Sequence, residues 1–331
     1  MPQPTLNQVH VQSALTMISV AYVQDEANYV ADKVFPVVPV EHQTDVYFTF
    51  NKDDFFRDEA QQRADGTESA GGGFNLDASK TYACNVWAYH KDIGAQVRRN
   101  VDPAVSIDIA ATKFVMQKML IRRERQFATT YLKTGVWGTD ITGVASGPSA
   151  SQSVYWNDDA NGDPFTDIAA GQTVILQNTG FEANTLLITW PVYQALRKHP
   201  LVIDRIKYTT RADATRVTPE LLAAAFDVDR VLVCKAVYNS AVEGATGSYS
   251  FIAGKSALLC HTAKEPSLFA PTAGYTFSWS GFTGLNNLGV QIVQIPMPWL
   301  GLNTVRTEAE MAFDMRAVST DMGYYFSGVV S

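Results

Sequence analysis

A three-residue segment matches the end of a phosphate-binding loop. Gly254-Lys255-Ser256 has the glycine, the lysine and the hydroxyl residue that such a loop uses to hold phosphate groups. The position five residues before Gly254 is Tyr249 instead of a glycine, and the apolar residues that follow predict a strand where the motif needs a helix. We interpret the segment as a turn between two strands.

A second segment has the oxygen spacing of a calcium loop. Residues 157–163 place Asn and Asp side chains at alternate positions and a glycine at the turn, which is the pattern of a Ca²⁺-binding loop. The residue at the position of the bidentate glutamate is Ile168, so the ligand that completes such a site is missing. The segment therefore predicts a solvated turn.

The histidines, cysteines and paired carboxylates do not form a catalytic or metal-binding pattern. Cys260 and His261 are neighbours in a strand-like run, where successive side chains point to opposite faces. The three cysteines lie in separate apolar runs, which is typical of free core thiols. Acidic pairs at 53–54, 58–59 and 158–159 all fall in polar segments, and no Gly-x-Ser-x-Gly elbow occurs. We predict no catalytic residue, no cofactor and no metal.

The composition is that of an ordered globular chain with a mildly acidic balance. The 331 residues are 46% hydrophobic and carry a net charge of −7, which disfavours a protein dedicated to binding nucleic acid. No run approaches the roughly 20 apolar residues of a membrane helix, and the first residues do not form a signal peptide. We expect synthesis in a cytoplasm and no membrane partner.

Residues 1–44 predict an extended N-terminal arm. Pro36 and Pro39 interrupt the pattern, and a proline favours extended backbone in the residue before it. An extended segment of this kind is stabilised by lying on another surface. The sequence leaves open whether that surface belongs to its own core or to a neighbouring subunit.

Residues 45–50 and 80–89 alternate apolar and polar side chains, as the two strands of a hairpin do. The polar connection between them is far longer than the two to five residues of an ordinary hairpin turn. Because a long two-stranded hairpin cannot bury its own faces, we predict that a neighbouring subunit covers it. The candidate contact residues are Phe48, Phe50, Phe55, Phe56, Arg57 and Arg63.

Residues 103–134 predict a long amphipathic helix. Asp102 and Pro103 are a helix start signal and Gly135 is a stop signal, and roughly 32 residues would span about 48 Å. The polar side includes the run Arg122-Arg123-Glu124-Arg125. Because no aromatic residues interleave with this run, we predict a solvated or subunit-contacting face instead of a nucleic-acid site. The candidate contact residues here are Arg122, Arg123 and Arg125.

The remainder of the chain predicts a mixed region of helices and strands, preceded by a long loop at 135–163. Helices are predicted at 191–198 and from Thr218-Pro219 onwards, and strands at 185–189, 230–237, 248–261, 289–295 and 309–318. The sequence contains no internal repeat.

The order of these segments resembles that of the major capsid proteins of tailed double-stranded DNA bacteriophages, which have the Hong Kong 97-like fold. The local sequences that carry the resemblance are ANYVADKVFPVVPV at 27–40, ITWPVYQALRKHPLVIDRIKY at 188–208, ELLAAAFDV at 220–228, AVYN at 236–239 and GYTFSW at 274–279. The resemblance spans residues 29–330, and its specificity comes from the ordered series of segments.

The resemblance implies an α+β subunit that assembles as hexamers and pentamers into an icosahedral head around a double-stranded DNA genome. Such a protein belongs to the virion, assembles in the host cytoplasm and is not an enzyme. The implied parts are an N-terminal arm (1–44), an extended β-hairpin loop (45–96), a peripheral domain (97–164) with spine helix 103–134, an axial mixed α/β domain (165–302) and peripheral return strands (303–331).

The resemblance also implies partners. They are further copies of the chain, a portal, decoration proteins in some relatives, and enclosed double-stranded DNA that is bound without sequence specificity. We expect a separate scaffolding protein, because residues 1–44 are too few for a scaffolding domain. Lys52 and Lys80 lie in the extended loop, but we expect no covalent crosslink between subunits.

Two alternatives stay open on the sequence. An encapsulin-like compartment has the same architecture around a protein cargo, and a neighbouring cargo gene would favour it. A soluble α+β enzyme or binding module with a cleft in residues 165–302 would stay monomeric and act on a small molecule.

Overall fold

The computed structural model describes residues 24–101, 106–207, 217–267, 270–283, 290–301 and 303–331. The strands are β1 (Val37–Val40), β2 (Thr44–Phe50), β3 (Leu76–Ala83), β4 (Asn85–Ile93), β5 (Thr139–Val144), β6 (Gln152–Val154), β7 (Thr185–Thr189), β8 (Arg230–Cys234), β9 (Val237–Asn239), β10 (Tyr249–Phe251), β11 (Ala257–Cys260), β12 (Gly274–Trp279), β13 (Val290–Pro296), β14 (Val305–Ala317) and β15 (Gly323–Ser327). The α-helices are α1 (Ala31–Val34), α2 (Lys52–Phe55), α3 (Ala95–Asn100), α4 (Ile107–Tyr131), α5 (Pro164–Thr179), α6 (Trp190–Lys198), α7 (Pro200–Lys207), α8 (Pro219–Phe226) and α9 (Ser280–Thr283). Short 3-10 helices lie at Glu26–Asn28, Pro298–Leu300 and Thr320–Met322.

The first sheet is built around the long strand β14 and supports helix α4, the spine helix. Strands β4, β12 and β13 all pair antiparallel with β14, and β1 adds to β12 in parallel. Alternate residues of β14 face the helix, as the period of a strand requires. The core between helix and sheet contains Val115, Met119, Phe127, Met311, Phe313 and Met315.

The second sheet has the strand order β6-β5-β15-β11-β7-β8 and mixes parallel with antiparallel pairs. Its central strands β7 and β11 are buried along their whole length, which explains their unbroken apolar sequences. Helices α5 to α8 contribute to the core on this sheet. That core contains Trp156, Ile168, Leu186, Leu196, Leu222 and Phe326.

Residues 29–40 pack against their own subunit, and the first part of this segment lies in its interior. Val30, Ala31, Val34 and Phe35 are buried, and β1 then joins the first sheet beside β12. This segment of the arm therefore packs on its own core, which was one of the two surfaces left open by the sequence. The arm's first 23 residues lie outside the described part of the chain.

The predicted hairpin is present, but its second strand was predicted wrongly. Strands β2 and β3 pair antiparallel, with Thr44 opposite Ala83 and Phe50 opposite Leu76. The predicted strand at 80–89 divides at Cys84, because β4, which follows that residue, pairs with β14 in the first sheet. The alternation of apolar residues continues through the change of pairing partner, so the sequence pattern does not reveal it.

The spine helix is shorter than predicted. It ends at Tyr131 instead of at 134, and the start signal at 102–103 lies outside the described residues. The predicted loop at 135–163 contains β5 and β6, and the sequence prediction missed helix α5 after Asp163. No helix within the described ranges combines the length and the apolar character needed to cross a membrane.

Strand pairing does not follow the predicted domain boundaries. Strands β12 and β13 lie inside the predicted axial range but pair with β14 in the first sheet. Strand β15 lies in the predicted peripheral return but pairs with β11 and β5 in the second sheet. Each sheet therefore contains strands from both predicted domains, because strands that are distant in the sequence can be hydrogen-bonded neighbours in a sheet.

Candidate assembly surface

The β2–β3 hairpin projects an apolar face that its own subunit leaves uncovered. Phe48, on β2, is 56% exposed, and Val46 and Leu76 are also exposed. On the other side of β2, Tyr47 packs on Phe277 with ring centroids 5.4 Å apart. The hairpin is thus attached at its base to the first sheet, whereas its outer face has no cover within the described chain.

An aromatic cluster forms the tip of this loop. Phe50, Phe55 and Phe74 lie with ring centroids 5.7 to 6.0 Å apart. Phe55 is 59% exposed and Phe56 is 63% exposed. Exposed aromatic groups of this size are typical of surfaces that bind another protein.

The loop touches the body of its subunit at few points. Lys52 forms an ion pair with Asp321, which lies just before β15. Beside this pair, a crevice of about 1030 Å³ separates the loop from the body and is lined by Phe48, Phe181 and Met322 among others. The open crevice shows that the tip is not packed into its own core.

The two predicted loop arginines are on the surface. Arg57 lies 3.8 Å from the Glu59 carboxylate, and both side chains are more than half exposed. The Nε of Arg63 donates a hydrogen bond of 2.5 Å to the carbonyl of Thr67. Both cations are therefore placed where a second subunit can reach them.

The three predicted helix arginines do not share one environment. Arg122 and Arg125 are exposed, but Arg123 is only 3% exposed and pairs with Asp32 of helix α1 at 3.6 Å. Because it is buried, Arg123 is not available as a surface contact residue. It belongs to the contact between the spine helix and the N-terminal segment.

Strands bring aromatic rings to the helix arginines, contrary to the expectation from sequence. The guanidinium carbon of Arg122 lies 3.9 Å from the centre of the Trp87 ring on β4. That of Arg125 lies 4.9 Å from the centre of the Tyr238 ring on β9. The sequence prediction failed because these rings are far from the helix along the chain.

A buried carboxylate, Glu124, holds the N-terminal segment and was missed by the sequence prediction. Its Oε2 accepts hydrogen bonds of 3.0 Å from the backbone N–H groups of Val30 and Ala31, and Cys234 Sγ lies 3.5 Å from its Oε1. Burial raises the pKa of Glu124, and burial together with this charge raises the pKa of Tyr29 to about 12. The sequence did contain a signal for this burial, because Glu124 lies one helical turn from apolar positions that face the core.

Comparison with known proteins identifies the fold. The chain is 23% identical over 327 residues to the major capsid protein of Burkholderia phage BcepMu, which covers 96% of both chains. A phage-related protein from Bordetella bronchiseptica RB50 matches with a TM-score of 0.67 and 21% identity over 92% of this chain and 94% of that chain. The capsid structure of cyanophage P-SCSP1u matches with a TM-score of 0.59 and 11% identity over 95% of this chain and 91% of that chain. The chain has the Hong Kong 97-like capsid fold. No family model matches it.

Within the Hong Kong 97-like fold, the two motif-like segments have structural roles. Gly254-Lys255-Ser256 lies in the connection from β10 to β11, so the predicted turn between strands is confirmed. Asp158 accepts hydrogen bonds from the N–H groups of Ala160 and Asn161, which closes a turn. Asp163 caps helix α5 by accepting from the next two N–H groups after Pro164.

The cysteines of this fold are buried thiols. Burial raises the pKa of Cys84 to about 12 and that of Cys260 to about 11, and it also raises the pKa of Cys234. A thiol with a raised pKa is a poor nucleophile near neutral pH. No group of three or more metal-ligating side chains occurs among the described residues.

Proposed function

We propose that this chain is the major capsid protein of a tailed double-stranded DNA bacteriophage. Copies would assemble as hexamers and pentamers into an icosahedral head, and the role is structural and not catalytic. The single observation that carries the proposal is the uncovered aromatic loop on a chain with a capsid fold. The major capsid protein of phage BcepMu, similar over 96% of both chains, supports it.

The energetics of the loop favour association. Fully burying a phenylalanine side chain contributes about 1.5–3 kcal/mol, and Phe48, Phe55 and Phe56 are each more than half exposed. A second subunit that covers these rings gains most of that free energy, because the isolated subunit already exposes them to water. Arg57 and Arg63 are exposed on the same loop and would form the polar rim of the contact.

We propose domain assignments from strand pairing instead of chain order. The peripheral domain comprises the first sheet with the spine helix, and the axial domain comprises the second sheet with α5 to α8. The hairpin of β2 and β3 is the extended loop, which attaches to the peripheral domain next to Cys84. The two units share a packed boundary, because Leu187, Leu258 and Tyr325 of the second sheet belong to the same apolar core as the spine helix.

The proposed location is the virion, with assembly in the host cytoplasm. A separate scaffolding protein and a portal are proposed partners, and double-stranded DNA is the enclosed genome. An encapsulin-like compartment has less support, because the curated relative that covers 96% of both chains comes from a phage.

Electron microscopy of the expressed full-length chain tests the proposal. We expect uniform polyhedral shells, alone or with a co-expressed scaffolding protein. A persistent folded monomer under all conditions would contradict the proposal.

A loop deletion makes the same test sharper. The N–H of Asn51 donates to the carbonyl of Asn75 at 3.3 Å, so residues 52–74 can be replaced by a two-residue Asn-Gly turn without moving the strands. We expect a folded subunit that forms no shells. As a matched control, Leu201→Ser with Ile203→Ser removes two exposed apolar side chains from α7, and we expect it to leave assembly intact.

A further inference from the structure

The exposed side of the spine helix carries a row of three cations. Lys118, Arg122 and Arg125 are all exposed and follow one another at steps of four and three residues, which places them on one helix face. At 1.5 Å per residue, the row extends about 10 Å from the first residue to the last. We call these three residues the cation row.

Aromatic rings hold the cation row in position. Besides the arginine contacts with Trp87 and Tyr238 already described, the Nζ of Lys118 lies 5.4 Å from the centre of the Phe114 ring on the same helix. A ring that covers one face of a guanidinium leaves the in-plane N–H groups available to other acceptors. The rings therefore restrain the cations without using their hydrogen-bond donors.

No carboxylate neutralises the cation row. Within the described part of the chain, none of its three members lies within 4.0 Å of a carboxylate oxygen. Two other cations near the helix do have carboxylate partners: Arg98 pairs with Asp108 at 2.5 Å, and Arg123 pairs with Asp32 at 3.6 Å. The carboxylate of Glu124 is buried and faces away from the exposed side. The row is thus a local cationic strip on a chain whose net charge is −7.

We propose that the cation row binds the phosphate backbone of duplex DNA, and that this face of the spine helix points to the interior of the shell. The inference rests on the proposed function, since only a shell that encloses DNA has DNA on one side. Duplex DNA carries one phosphate per 3.4 Å of axis on each strand, so a row of about 10 Å spans about three of them. Lysine and arginine contact phosphate without reading sequence.

This proposal changes the partner expected for Arg122 and Arg125. The sequence favoured a solvated or subunit-contacting face, because no aromatic residues interleave with the run as platforms for stacked bases. A duplex backbone is bound through its phosphates and needs no such platform. A strip that is both cationic and unpaired fits a uniform polyanion along its whole length. The acidic remainder of the chain would confine DNA to this strip.

Salt-dependent binding tests the proposal directly. Fluorescence anisotropy with a labelled 30-base-pair duplex of random sequence is measured for the full-length chain between 0.05 and 0.3 M salt, before and after assembly. Three phosphate contacts predict a slope of about −2.7 for log K against log salt. Combining Lys118→Gln, Arg122→Gln and Arg125→Gln should bring the slope close to zero and weaken binding about 500-fold at 0.1 M salt.

A matched variant controls for net charge. Lys198→Gln, Lys255→Gln and Lys264→Gln change the charge equally at three exposed positions outside the spine helix, and this variant should keep the wild-type slope. The proposal is overturned if the row variant binds DNA like the wild type, or if the wild type shows no salt-dependent binding. It is also overturned if the folded row variant no longer assembles, because the row then contacts a second subunit.

Assembly is scored separately by electron microscopy. Wild-type chains that bind DNA through the cation row but form no shells would contradict the proposed function and leave the binding surface standing. Shells that form normally without a DNA-dependent slope would contradict only the inference about the row.

Discussion

The N-terminal segment 29–40 and the β2–β3 hairpin are adjacent in the chain but differ in how they are stabilised. Both were predicted to need a surface outside themselves. The N-terminal segment finds that surface in its own subunit, where Val34 and Phe35 are completely buried. The hairpin keeps Phe48 and Phe55 exposed. A segment without its own core can therefore be an internal part of one subunit or a contact for the next.

Side-chain hydrogen bonds explain why the N-terminal segment is held. Glu124 accepts from two of its N–H groups, and Arg230 donates to the carbonyl of Lys33 at 2.8 Å. Thr262 and Thr276 donate to the carbonyls of two further residues in the segment. Four side chains from different parts of the chain therefore satisfy backbone groups that the segment would otherwise leave unpaired.

The largest expected difference comes from the same substitution in the two regions. Phe35→Ala removes a fully buried ring that packs on Phe127 and Tyr131, so we expect it to lower the free energy of unfolding by about 3–5 kcal/mol. Phe55→Ala should change that free energy by less than about 0.5 kcal/mol but reduce shell formation. Urea unfolding of the subunit and electron microscopy measure the two effects. Equal loss of stability in both variants would remove the distinction between the regions.

Removing the carboxylate that holds the N-terminal segment should have the next largest effect. Glu124→Ala leaves the buried N–H groups of Val30 and Ala31 without an acceptor, which costs about 2–4 kcal/mol. Glu124→Gln keeps a carbonyl oxygen at the same place, so we expect a loss of about 1 kcal/mol. Urea unfolding near neutral pH compares the two. If Gln and Ala are equally destabilising, hydrogen bonding to the segment is not the role of this residue.

The stability of this contact should depend on pH. Because burial raises the pKa of Glu124 in the folded state, the folded state holds this proton to a higher pH than the unfolded state does. Its contribution to stability is therefore fully present below the unfolded pKa and declines as pH rises through the folded pKa. Unfolding of wild type and Glu124→Gln is measured from pH 4 to 8. Stability that rises with pH in the wild type relative to the variant would contradict the sign of this shift.

The smallest expected effect concerns the ion pair between the loop and the body. Lys52 and Asp321 are both partly exposed, and surface ion pairs contribute about 0–1 kcal/mol. Lys52→Gln should leave unfolding nearly unchanged and loosen the loop, which hydrogen exchange of β2 and β3 would detect. Asp321→Asn is the matched change on the other partner and should give the same result. A large loss of stability would mean that the loop is part of its own subunit's core.

The sequence predicted the parts of the fold whose signals are local. The alternation at 45–50 gave β2, and Thr218 with Pro219 gave the start of α8, where the Thr218 hydroxyl accepts from the N–H of Leu221. Pro36 and Pro39 indicated an extended backbone, but they could not say which surface the segment would meet, because that depends on residues far along the chain. Helix α5 was missed because its cap, Asp163, follows a run of Asn and Asp that also fits a loop.

The assembly residues predicted from the sequence also divide into those with a local signal and those that depend on residues far along the chain. The loop phenylalanines could be proposed from the sequence, because an overlong polar hairpin with apolar residues has no local means of covering them. The burial of Arg123 could not, because its partner Asp32 belongs to a segment 91 positions earlier (123 − 32). The aromatic rings beside Arg122 and Arg125 could not be found for the same reason.

The junction at Cys84 sets how rigidly the loop is carried. Only this residue separates β3 from β4. Its N–H donates to the carbonyl of Gln43 at 2.8 Å, and the side-chain Nε2 of Gln43 donates to the Cys84 carbonyl at 3.2 Å. Both strands of the loop are therefore tied together where they leave the first sheet, and few backbone torsions are free to change. The base of the hairpin is held at a defined angle before any neighbour arrives, so association does not have to order this part of the loop, and less conformational entropy is lost when two subunits meet.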